Sequence, residues 1–120
     1  MNKLELKKNN LEALKNNYYL NFIPESILEE LATEAADKGL NIYVYAPGRS
    51  AKWGLSTELI VIATKEERKD RTKDWTGKPM YKEYLTLIHM PRAYVSKTPR
   101  GALWREVLGA IEILKSIDEN

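Results

Sequence analysis

Residues 57–64, TELIVIAT, carry apolar side chains at successive positions. Neighbouring side chains of a strand point to opposite faces, so a run apolar on both faces must be covered on both. That places this segment at the centre of a sheet. The stretch before it, LNIYVYA at 40–46, alternates instead. Leu40, Ile42, Val44 and Ala46 share one face, and Asn41, Tyr43 and Tyr45 share the other. Period two therefore predicts a strand with an aliphatic and an aromatic side. YKEYLTLIHM at 81–90 supplies a third strand, ended by Pro91, which cannot donate to a ladder.

Elsewhere the period is helical. Apolar residues at 4, 11, 14 and 18 make one stripe of a helix over Leu4–Tyr18, weakened by Asn9, Asn10, Asn16 and Asn17. Pro24 and Glu25 suit the first turn of a second helix. Ile27, Leu28, Leu31, Ala32 and Ala35 give its apolar face and Gly39 its C-terminal cap. A last helix starts with Thr98 as cap and Pro99 in its first turn. Leu103, Val107, Leu108, Ile111, Leu114 and Ile117 form a wide stripe on it. Gly109 inside that helix costs about 1 kcal/mol against Ala unless close packing requires it.

The order is α-α-β-β-β-α. Sequential strands tend to neighbour one another, so the expected fold is α+β, an antiparallel three-stranded meander packed by helices. A chain of 120 residues buries roughly two thirds of its surface, enough for one domain. Residues 1–22 read as an N-terminal helical segment and 24–118 as an α-β-β-β-α core. Cysteine is absent, which excludes disulfides and thiolate metal sites. The longest apolar run, Leu59–Ala63, falls far short of a membrane span, and MNKLELKKNN has no apolar signal segment. The expectation is a cytoplasmic protein with no membrane partner.

Charge is unevenly spread. Residues 1–40 hold five lysines and seven acids, residues 41–102 twelve cations and six acids, and residues 103–120 two cations and four acids. The middle half is basic and the flanks are acidic, which bears on partners rather than on fold. Chain reversal makes this specific. In an up-down-up meander the first and third strands end at the same side of the sheet. No carboxylate lies between Asp37 and Glu58, or between Glu83 and Glu106. Arg49, Lys52, Arg92, Lys97 and Arg100 fall in these acid-free runs, with Trp53 and Tyr94 among them. Helix N-termini favour anions, Arg offers paired donors, and aromatic rings can stack on bases. The expected partner is nucleic acid or a ribonucleoprotein.

The α-β-β-β-α order over residues 24–117 resembles that of double-stranded-RNA-binding domains. In that family the first strand connection and the start of the last helix bind the duplex at one end of the sheet. The corresponding stretches here are PGRSAKW and SKTPRGALWRE. The resemblance is one of element order, and no residue role is carried over from it.

Tyr43, Tyr45 and Tyr84 are expected to share a sheet face, covered by the first helix or by a second subunit, which raises a homodimer. Segment 65–80 mixes six cations with four acids, as solvated loops do, and Trp75 within it is a candidate protein-interface anchor. His89, the one histidine, has no carboxylate nearby to orient it as a base. Adjacent pairs such as Glu29-Glu30 do not converge as metal ligands. No catalytic residue, metal or cofactor is therefore expected, and the chain reads as a non-enzymatic binding protein. The alternative is a phage or mobile-element inhibitor of the anti-CRISPR kind, acting on a host protein target.

Overall fold

The computed structural model describes residues 2–17, 19–45, 59–67, 80–90 and 100–117. They form α1 (Lys3–Lys15), a 3-10 turn (Leu20–Phe22), α2 (Glu25–Asp37), β1 (Asn41–Tyr45), β2 (Leu59–Thr64), β3 (Leu85–Met90) and α3 (Arg100–Lys115). The strands make one antiparallel sheet in the order β1-β2-β3. The fold is the α+β meander that the periodicities predict.

Asparagine, a poor helix former, sets the boundaries of the helical hairpin. Asn2 caps α1 by accepting from the Glu5 backbone N–H at 2.8 Å. The Asn17 side chain accepts from the Tyr19 and Leu20 N–H groups, which turns the chain into the 3-10 segment. Asn10, mid-helix, is fully buried. Its Oδ1 accepts from Ile42 N–H at 2.8 Å, and its Nδ2 donates to Leu40 C=O at 3.0 Å and Ala32 C=O at 3.5 Å. One side chain thus ties α1 to the end of α2 and the start of β1. The same asparagine that lowers helix propensity satisfies backbone groups that would otherwise be buried unpaired.

Gly39 ends α2 with φ +71°, the left-handed conformation that favours glycine. Leu40 N–H donates to Ala35 C=O and Gly39 N–H to Ala36 C=O, the two bonds of a Schellman cap.

The three described helices lie on the aliphatic face of the sheet. Leu14, Leu28, Leu31 and Ala35 meet Ile42, Val61, Ala63, Ile88 and Met90, with Val107, Ile111 and Leu114 from α3. Burying each of the larger of these side chains contributes roughly 1.5–3 kcal/mol, before conformational entropy is offset. Exposed ion pairs contribute at most about 1 kcal/mol each, so packing rather than charge holds the helices down. Across the layer the helices follow the strands. α1 packs on β1 and α2, α3 packs on β3 and α2, and α2 lies between them.

Two boundaries differ from the periodicity. The third strand begins at Leu85, four residues later than the expected 81. The expected helix 4–18 ends at Lys15, where Asn16 and Asn17 break it. β3 also breaks strict alternation. Val61 pairs with Ile88 but Ile62 with Thr86, so Leu87 is an extra residue in a β-bulge. The bulge lets Leu87, Ile88 and Met90 all enter the core, which a regular strand could not do.

Candidate nucleic-acid interface

The register defines two unlike ends of the sheet. At one, Asn41 pairs with Thr64 and Ala63 with Leu85. At the other, Tyr45 pairs with Ile60 and Leu59 with Met90.

The first end is braced. Thr64, buried, donates from Oγ1 to Glu83 C=O at 2.6 Å and accepts from Glu66 N–H at 3.1 Å. Asn41 donates to Glu66 C=O at 3.2 Å, and Glu83 N–H to the Glu66 carboxylate at 3.3 Å. Asn10 and the Schellman cap lie beside these bonds. Both α2 and α3 finish here, since Asp37, Lys38 and Ile117 line a cleft of about 500 Å³ with Leu40, Thr64 and Glu83. Carboxylates and lysines mix around it.

The second end is where segments 46–58 and 91–99 leave the sheet, because Tyr45, Leu59 and Met90 anchor them. α3 spans sixteen residues, about 24 Å, and its last turn is at the braced end. Its first turn is therefore directed toward the second end. We call this the acid-poor end, after the sequence attached to it.

Arg49, Lys52, Trp53, Arg92, Tyr94 and Lys97 lie outside the described residues, as does Trp75. Arg100 opens α3, with its side chain outside the described set. The described residues that flank the segments carrying these cations, Tyr45, Leu59 and Met90, adjoin in the sheet.

The tyrosines require a correction. Tyr43 and Tyr45 do share a face, opposite the helices, but they are 3 % and 0 % exposed. They form a second cluster with Ile62 and Tyr81, and the Tyr43 and Tyr81 rings stack at 4.4 Å. Tyr84 is not part of that cluster. It precedes β3, is 44 % exposed and lines the cleft at the braced end. The first helix does not cover the aromatic face either, because Asn10 and Leu14 hold α1 to the aliphatic one. The sequence puts Tyr81 in the third strand, but the strand begins only at Leu85, so period two did not reveal that this ring turns to Tyr43.

Trp104 is a second residue the pattern obscures. It falls in the second turn of α3 at 40 % exposure, beside exposed Arg105. The signal for it was its place at the border of the apolar stripe, four residues from Leu108. These two are the described residues on α3 that suit a base or a phosphate near the acid-poor end.

Acids of α2 are largely matched by lysines of its neighbours. Lys3 pairs with Asp37 at 3.6 Å, Lys7 with Glu29 at 3.1 Å, and Lys15 with Glu25. From the other side Lys115 pairs with Glu30 at 3.3 Å. The Glu30 hydrogen bond and charge raise the Lys115 pKa above 10.5. Lysines of α1 and α3 thus clamp α2 and occupy its carboxylates.

Among the described residues no group of His, Asp and Glu is placed to hold a metal ion, and no helix is long and apolar enough to cross a membrane. No family model matches the chain, and neither a curated protein nor a solved structure matches it significantly. The class that the fold defines is an α+β domain with every described helix on one face of an antiparallel sheet.

Proposed function

We propose that this chain is a non-enzymatic, cytoplasmic binding module that docks on nucleic acid, alone or in a ribonucleoprotein, through the acid-poor end of its sheet. One observation carries the reading. Tyr45, Leu59 and Met90 sit side by side, so two distant segments with Arg49, Lys52, Arg92 and Lys97 depart from one place. The start of α3, with Arg100, Trp104 and Arg105, is directed there too. Glu58 is the one carboxylate in 46–58 and 91–99. Phosphates supply the matching charge, and Trp53, Tyr94 and Trp104 are rings on which unpaired bases can stack, worth roughly 1–3 kcal/mol each.

The test is fluorescence anisotropy with single- and double-stranded DNA and RNA oligonucleotides over a series of salt concentrations. If about four to five phosphates are neutralised, log K falls with log salt at a slope of about −3 to −4.5. A flat salt response removes the reading. Pull-down with and without nuclease separates it from the inhibitor alternative: a partner retained through nuclease and moderate salt identifies a host protein as the target.

A further inference from the structure

β1 and β3 are both outer strands of the three-stranded sheet, yet they are treated differently. β1 is buried along nearly its whole length, whereas β3 leaves Leu85, Thr86 and His89 exposed. Proteins guard outer strands with charge, proline or cover. From Tyr84 to Met90 there is no proline, lysine, arginine or acid. β3 does carry a bulge, but its extra residue, Leu87, is turned into the core.

Two features of α3 fall on the same side. Lys115 reaches Glu30, so its direction marks the side of α3 that faces α2. At about 100° per residue, Ile113 lies roughly 200° from Lys115, on the opposite side, which overhangs the outer edge of β3. Ile113 is 38 % exposed there, next to half-buried Ile117, which lines the braced-end cleft with Leu85, itself 37 % exposed. Gly109 lies one turn before Ile113 on that side. A Cβ built on Gly109 would meet nothing within 4 Å, so no packing among the described residues explains a glycine in mid-helix. Its cost of about 1 kcal/mol is offset if another backbone must approach.

We propose that a second copy of this chain pairs with the β3 edge, antiparallel about a two-fold axis, and continues the sheet to six strands. The axis stands perpendicular to the sheet, so both helical layers share one face and α3 lies antiparallel to its counterpart. Ile113 and Leu85 are then covered, with Glu106 of the same side at the rim, and Gly109 admits the facing helix. A two-fold brings like residues together, which the uncharged edge tolerates and a charged one would not. The acid-poor ends point in opposite directions, giving a dimer with two separated anion-binding ends. The dimer does not depend on the nucleic-acid reading, because its test contains no nucleic acid.

The test is sedimentation equilibrium of the full chain from about 1 µM to about 1 mM. The expected result is a shift from the 13.8 kDa monomer to twice that mass. Ile113→Glu and Gly109→Gln should each weaken the association at least tenfold. Both positions are exposed, so circular dichroism of the dilute variants should stay unchanged. A wild-type chain at 13.8 kDa throughout overturns the proposal. So does a dimer that both variants leave intact, since it would use another surface.

Discussion

The two ends of the sheet are built from the same three strands but use polar residues in opposite ways. At the braced end, Asn10, Asn41, Thr64 and Glu66 are engaged with backbone, and they fix how α1, α2 and β1 meet. At the acid-poor end, the described anchors Tyr45, Leu59 and Met90 are buried, while the sequence leaving them is cationic. Polar groups that complete buried hydrogen bonds specify structure. Cations without carboxylates nearby in sequence are the ones that the proposed function assigns to a partner. On the proposed function, the difference separates stability from binding within a chain whose net charge is only +2.

That separation can be broken by mutation. The largest expected effect is Asn10→Leu, which strands Ile42 N–H and Leu40 C=O inside the protein. Two unsatisfied buried groups cost about 2–5 kcal/mol together, read as a lower urea midpoint. Affinity for an oligonucleotide, measured where the variant is still folded, should not change. Replacing both Arg49 and Arg92 by Ser should do the reverse. Affinity should drop about tenfold or more and the salt slope should flatten by about 2. Unfolding should move by less than about 0.5 kcal/mol.

Smaller effects sharpen the braced end. Gly39→Ala forces a side chain into the left-handed conformation of the α2 cap and should cost about 1–2 kcal/mol, seen in thermal unfolding. Lys115 gives the smallest. Its folded pKa lies above 10.5, so its contribution is complete below that value and fades as pH rises through the folded pKa. Wild type should therefore lose more stability than Lys115→Met on moving from neutral to strongly alkaline pH, compared by paired thermal melts.

How much of this the sequence disclosed follows from the range of each signal. Periodicity reports which side of an element is apolar, so TELIVIAT, the α2 stripe and the Gly39 cap were legible one element at a time. It also yielded the meander, because consecutive strands are cheap to pair, and hence the convergence of the two strand ends. It did not disclose Asn10, whose role depends on Ile42, thirty-two residues away. Nor did it disclose the Leu87 bulge or the Tyr43–Tyr81 stack, which arise only when strands meet. Trp104 was visible as a letter but not as a surface, since its exposure depends on where α2 lies.

The most direct measurement is a map of backbone amide shifts as an unstructured single-stranded oligonucleotide is titrated into the protein. The account expects saturable shifts at Tyr45, Leu59, Ile60, His89, Leu103 and Trp104, with Asn41, Thr64, Glu83 and Ile117 unmoved. Shifts concentrated at the braced end, or no saturable shift at low salt, would contradict it.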